Sequence, residues 1–289
     1  MGPPELTIRW TIGDVHPYGF ESLRLSIWGA RRLFGTAADL EVCVNSKELG
    51  AARRAAGTLP DGVRWTAVRD FPEWLVPHLD PGLAEGVAWK LAPARVGAGR
   101  ELALDNDVIL WDVPAAIRTW LDDPHPEACC LAEDVQAFFG EFAARCSPEP
   151  RNTGIRGVGP GLDLEAAFRS ALAEHPGVVL RSETDEQGLQ VTVLTERLHH
   201  VVPISDVSIC SPWPSHQQGL GRCGAHFVGL NAHAFPEEWG GGRAREEHEA
   251  HWRSRRPEIY RRLGLDPDPV HEWTEAAAGE AGNGSAIAI

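Results

Sequence analysis

The chain has 289 residues, 43% of them hydrophobic and 24% charged, which suits one large α/β domain with a substantial core. No apolar run is long enough to span a bilayer, and the N-terminus lacks the basic flank and apolar stretch of a secretory signal, so a cytoplasmic protein is expected. A net charge of −14 excludes sequence-independent nucleic-acid binding and means that an anionic ligand would need local positive charge, for which a bound divalent cation is one source.

Residues 6–12 read as a first strand, 13–19 as a loop containing Pro17, and 20–34 as an amphipathic helix with Leu23, Ile27, Ala30 and Phe34 on one face. A strand at 39–44, a helix at 48–57 and a strand at 63–68 follow, the last entered through Pro60-Asp61-Gly62. The Pro- and Trp-rich stretch 70–82 suggests an irregular loop, and 84–96 carries a helical pattern interrupted by Pro93. A short strand at 101–104 ends at Asp105, and 108–111 continues as extended chain. A helix is expected over 114–121 with proline at an early position, then a strand at 128–131 and a helix at 134–145.

Farther along, helices are expected at 162–174 and, capped by Thr184, from Asp185 to about Leu194. Strands are expected at 178–180, 201–209 and 225–230. Alternating strands and helices up to about residue 120 imply a doubly wound, mostly parallel α/β sheet, with a small mixed sheet built on the same core. No internal repeat or linker divides the chain. A single domain is expected over 1–274, with a nucleotide-binding half at 1–120 and an acceptor-side half at 121–274. The Ala/Gly/Ser-rich end, 275–289, is expected to be disordered.

The six cysteines (Cys43, Cys129, Cys130, Cys146, Cys210 and Cys223) sit mostly in apolar runs and read as buried free thiols. A zinc site from Cys210, Cys223 and His226 lacks a C-x-x-C pair and is disfavoured. Of 27 basic residues only Lys47 and Lys90 are lysines. Lys47 fits an ordinary helix start, whereas Lys90, in Trp89-Lys90-Leu91, marks a place where a compact ammonium would be useful. Arg95 could join it against phosphate, although a solvated helix face explains it equally simply.

The main chemical signal is Leu104-Asp105-Asn106-Asp107-Val108. Two carboxylates two residues apart sit between apolar runs, at the carboxyl end of a strand, where open α/β sheets bind ligands. Burying unpaired carboxylates is costly, and a divalent cation with hard oxygen ligands offsets that cost. A polar turn is the alternative reading. Three later segments stand in order after it: Asn152-Thr153-Gly154-Ile155, the acidic helix start Asp185-Glu186-Gln187, and His226-Phe227-Val228-Gly229.

Taken together, from about residue 6 to 231, these segments resemble the GT-A fold glycosyltransferases, in particular the glycogenin-like and lipopolysaccharide-galactosyltransferase-like retaining enzymes. The resemblance implies that Asp105, Asp107 and His226 bind a cation bridging the donor diphosphate, Mn²⁺ over Mg²⁺ because one ligand is nitrogen. It implies that the segment Thr11 to Gly19, with Thr11, Gly13, Asp14 and Tyr18, holds the nucleoside of a UDP-sugar, together with Asn106. Asn152 would contact the sugar or its acceptor, with Gly154 and Gly229 beside the donor. Asp185 would bind a donor hydroxyl and Glu186 would lie near the anomeric centre. Where relatives carry a lysine after the histidine motif this chain has Ala232, and Lys90 would supply that charge. The family's Asp-Gln-Asp is here Asp185-Glu186-Gln187.

The implied activity is transfer of a sugar from a nucleotide-diphosphate sugar to an acceptor hydroxyl, in the hexosyltransferase class. Asp134 or Glu133 would be the base if the reaction inverts. Trp10, Trp74 and Trp213 are candidates for stacking on sugar, with core packing as the ordinary alternative. The basic stretch 253–262 reads as a surface helix or an acceptor-side lid. A nucleotidyltransferase making nucleotide-sugars would need a basic Gly-rich loop after the first strand, and residues 13–19 have no Arg or Lys. A non-catalytic nucleotide-sugar-binding module of the same fold is the third alternative.

Overall fold

The computed structural model describes residues 6–84, 86–231 and 241–271. Seven strands form the main sheet: β1 (Leu6–Ile12), β2 (Ala38–Val44), β3 (Val63–Ala67), β4 (Arg100–Leu104), β6 (Cys129–Glu133), β7 (Arg151–Val158) and β8 (His199–Val202), in the order β3-β2-β1-β4-β7-β6-β8. Pairing is parallel except at β7, which runs antiparallel to both β4 and β6. A second sheet joins β5 (Val108–Leu110), β10 (Gly224–His226) and β9 (Val207–Ile209) in the order β5-β10-β9. The helices are α1 (Pro17–Phe34), α2 (Leu49–Ala56), the single turn α3 (Pro81–Ala84), α4 (Ala115–Asp122), α5 (Leu164–Ala173), α6 (Glu183–Thr195) and α7 (Gly241–Leu263). The expected doubly wound, mostly parallel sheet with a small mixed sheet is what forms.

The apolar residues of β1, β2 and β4 are buried on both faces, as crossover helices require. One core packs Ile8, Trp10, Leu40 and Leu102 against Leu23 and Ile27 of α1 and Trp120 of α4. A second, on the opposite face, packs Leu131 and Val158 against Phe168 of α5 and Leu189 and Val193 of α6. A third joins Ile109, Ala225 and Phe227 to Trp252 and Ile259 of α7. Each large apolar side chain removed from water contributes about 1.5–3 kcal/mol.

Several elements differ from expectation for local reasons. Helix α1 starts a turn early because Pro17 occupies a first-turn position and the His16 side chain accepts from Tyr18 N. Residues 134–145 form no helix: Gly140 has φ +47, leaving turns and one 3-10 turn, Gly140–Phe142. The segment 84–96 contributes only the 3-10 turn Val87–Leu91, since Ala92 precedes Pro93 and is extended. Residues 178–180 make one isolated bridge, Leu79 to Leu180. The stretch 201–209 breaks at Pro203 into strands of different sheets. Helix α6 is capped by Ser182, not Thr184, through a capping box with Asp185. The segment 151–157, read only as a polar run before a helix, is core strand β7. The tail 275–289 and Ala232 lie outside the described residues. All six cysteines are free thiols, five of them buried.

Candidate active site at the carboxyl end of the fourth strand

Strands β1, β2 and β4 run parallel, so Gly13, Asn45 and Asp105 emerge on one rim. Asp105 and Asp107 flank Asn106 in the short link from β4 to β5. The antiparallel pairing of β5 with β10 sets Val108 opposite His226, and Phe227 N donates to Asp107 O at 3.0 Å. That register brings the histidine to the acid pair from 120 residues away. Ligand atoms of Asp105, Asp107 and His226 lie within 4.8 Å of one another, the metal-type cluster found among the described residues. His226 Nε2 is 3.3 Å from Asp107 Oδ1 and 3.6 Å from Asp105 Oδ2.

The donor set fits a divalent cation. Asp107 Oδ1 is buried and accepts no hydrogen bond, while Oδ2 is held by Asn231 Nδ2 at 2.8 Å. One oxygen is thus steered by the protein and the other is left for an ion, as an oriented metal carboxylate requires. Two carboxylates and one imidazole suit Mn²⁺ or a similar borderline ion. Burial works against a charged His226, but Asp107 and Asp105 outweigh it and raise its pKa above the ordinary 6.5. The two acids therefore attract positive charge strongly at this point.

Lys90 supplies such charge. Its Nζ lies 2.7 Å from Asp105 Oδ2. Burial penalises the ammonium, yet Asp105 and Glu186 more than compensate, and its pKa is raised. Glu186 is buried within α6, and burial, opposed by Lys90 and reinforced by Asp105, pushes its carboxyl up to about 7. Thr11, Lys90, Asp105, Arg156 and Gln190 line one narrow recess beneath these groups.

Other anticipated residues frame the site. Asn106 Nδ2 donates to Gly19 O at 3.1 Å and to Asn231 Oδ1 at 2.8 Å, tying the acid pair to the start of α1. Gly229, at φ +82, turns the chain after β10 so that Asn231 can make these contacts. Asn152 Oδ1 accepts from Gly154 N at 2.7 Å and its Nδ2 donates to Asp134 Oδ2 at 2.9 Å. Gly13 packs against the side chains of Asn45 and Ser46, and Asp14 N donates to Ser46 Oγ at 2.9 Å. Lys47 pairs with Asp14 at 2.5 Å. Tyr18 is buried in the third core and its hydroxyl accepts from Arg253 Nη1 at 3.1 Å.

Some expectations are corrected. Asp185 does not face the recess: its oxygens accept from Arg181 N at 2.8 Å, Ser182 N at 3.1 Å and Glu141 N at 2.8 Å, so it caps α6 and fixes the neighbouring loop. Arg95 is spent on the carbonyls of Gly159, Leu162 and Gly99. Glu133 Oε2 accepts from Ile204 N at 2.9 Å, which removes it as a base, while Asp134 stands beside Asn152. Trp10 is core, with Nε1 bonded to Ser26. Trp74 packs against the second core. Trp213 is partly exposed, bonds Glu247 and meets His248 edge-on. Cys210 bonds His251 Nε2 at 3.2 Å instead of joining Cys223 and His226. Sequence reasoning missed Asn231, Arg156 and Gln190. Asn231 carried a signal, a polar residue two positions after Gly229, and the other two carried none.

No protein-family model matches the sequence, and no curated protein matches it. Solved structures do. The galactosyltransferase LgtC, in complex with donor and acceptor sugar analogs, aligns over 86% of this chain and 99% of its own with a TM-score of 0.53 and 14% identity. An active-site mutant of LgtC aligns over 89% and 99% with a TM-score of 0.51 and 13% identity. The likeness is one of fold: this chain has the GT-A fold of glycosyltransferases.

Proposed function

We propose that the chain is a metal-dependent glycosyltransferase that moves a sugar from a nucleotide-diphosphate sugar, a UDP-sugar foremost, to an acceptor hydroxyl. One observation carries the reading: Asp105, Asp107 and His226 converge with a buried, unpartnered Asp107 oxygen at the strand ends of a GT-A fold. Their chemistry favours Mn²⁺, with Mg²⁺ as the substitute. When bound, such an ion would supply Lewis-acid stabilisation of the departing diphosphate.

The remaining groups have definite tasks in this reading. Lys90 adds positive charge where negative charge develops on the leaving oxygen. Glu186 meets the sugar as cationic character builds at its anomeric carbon. Thr11, Gly13 and Asp14 form the nucleoside-side rim, and Tyr18 supports it from behind. Asn106, Asn152, Gly154 and Gly229 hold the ligands in place. Asp134, beside Asn152, is the acceptor-side carboxylate.

The test is a thermal-shift panel of UDP-, GDP- and dTDP-sugars, each with and without Mn²⁺. A true donor at a hundredfold its dissociation constant adds about 2.7 kcal/mol of stability. A shift that requires both metal and nucleotide, and that disappears in Asp107→Ala, is the expected result. The same shift without metal, or no shift across the panel, removes the reading.

A further inference from the structure

Beneath the recess, three buried side chains form a directed line. Glu186 Oε1 accepts from Gln190 Nε2, one turn farther along α6, and Gln190 Oε1 accepts from Arg156 Nη1 on β7. All three are at most 2% exposed. Chemistry fixes the direction of both bonds. A guanidinium has only donors, so the amide oxygen must face Arg156, and the amide nitrogen is thereby turned to Glu186. One carboxyl oxygen is then committed as an acceptor. Any proton that Glu186 carries, and any ligand it meets, belongs to Oε2.

Arg156 is itself held. Its Nη1 reaches Lys90 O at 3.5 Å, and the same carbonyl receives Arg9 Nη2 at 3.1 Å. One guanidinium therefore bears on both Lys90 and Glu186. The arrangement is expensive as plain packing: Nε and Nη2 of Arg156 have no hydrogen-bond partner, and apolar residues would fill the same space without that cost. Burial lowers the Arg156 pKa to about 10, so it remains a cation at neutral pH.

We infer that Gln190 and Arg156 are positioning residues that orient Glu186, committing Oε1 to the interior and presenting Oε2 to the reacting sugar. What Oε2 meets rests on the transferase reading; the orientation does not.

The experiment uses the full chain labelled with ¹³C-carboxyl glutamate, the Glu186 resonance being identified by its loss in Glu186→Gln. Gln190→Leu removes a bond that favours the charged form, so the Glu186 midpoint rises by about one pH unit. Arg156→Met moves it the same way, and Gln190→Met serves if the leucine variant does not fold. An unchanged midpoint in a folded variant overturns the orientation.

With UDP-galactose and Mn²⁺ as the probe, Gln190→Leu lowers kcat at least about tenfold, leaves KM within about twofold and moves the pH-rate profile upward. A merely structural role would lower Tm and leave the profile in place, overturning the inference. If the wild type binds no Mn²⁺ and turns over no sugar nucleotide, the sugar-facing part falls with the transferase reading. The titration then decides the orientation on its own.

Discussion

A Cβ built on Gly154 would lie 2.4 Å from Cε1 of His226, so the imidazole occupies space that only a glycine leaves open. The same glycine accepts from Asp105 N at 2.8 Å. Strand β7 thus touches two of the three candidate ligands at one residue. Gly154→Ala is expected to displace the ring and weaken Mn²⁺ binding about 10–100-fold, the usual range for groups that orient a ligand. Titration calorimetry measures this, with circular dichroism to verify the fold. Wild-type affinity in the folded variant would show that His226 is not a ligand.

Lys90 offers a case in which binding and turnover should move in opposite directions. Its ammonium holds Asp105 at 2.7 Å and would repel a dication placed there. Lys90→Met is expected to raise Mn²⁺ affinity severalfold, because a competing cation has gone. Turnover of the donor should fall about a hundredfold through loss of charge stabilisation at the phosphates. Calorimetry and initial rates decide together. A joint loss of affinity and turnover would show that Lys90 builds the metal site instead.

The raised His226 pKa fixes the sign of two pH dependences. In the metal-free protein, protonated His226 beside the two acids adds stability that is fully present below 6.5 and is lost as pH rises through the higher folded value. Glu186 acts in the same direction, its contribution being lost between 4.5 and about 7. Mn²⁺ needs a neutral imidazole, so its affinity rises over the interval in which His226 deprotonates. The metal-free Tm should therefore fall, and the Mn²⁺-induced increment grow, as pH is raised from 6 towards 8. His226→Gln should flatten the increment and leave the Glu186 part of the metal-free trend.

Much of this architecture was legible because local and global signals agreed. Alternating apolar runs gave β1, β2 and β4, and the acids at the end of β4 were placed by that strand. His226 was reached only through resemblance, since the β5–β10 register that brings it in depends on a pairing across 116 residues between Val108 and Ala225's neighbours, Gly224 and His226. Strand β7 was hidden because Arg151, Asn152 and Arg156 look like surface residues, yet they are buried through hydrogen bonds rather than apolar contact. Asp185 misled for the opposite reason. An acid at a helix start fits both ligand binding and capping, and only the positions of three neighbouring amides separate the two.

The clasp between α1 and α7 gives a prediction about stability that leaves the site alone. Glu21 is fully buried and accepts from Trp252 Nε1 at 2.8 Å, Tyr260 OH at 2.8 Å and Arg256 Nη2 at 2.6 Å, all on α7. Replacing it by leucine strands a largely buried guanidinium and two polar groups, at a cost of about 3–5 kcal/mol. Urea denaturation should show that loss. Adding Arg256→Met to Glu21→Leu should recover part of it, because the stranded charge is gone. The metal ligands sit on β10 and on the link between β4 and β5, so Mn²⁺ affinity in the folded fraction should stay near wild type. A loss smaller than 1 kcal/mol, flagged here as about the value of one exposed ion pair, would mean that α7 is held by its apolar face alone.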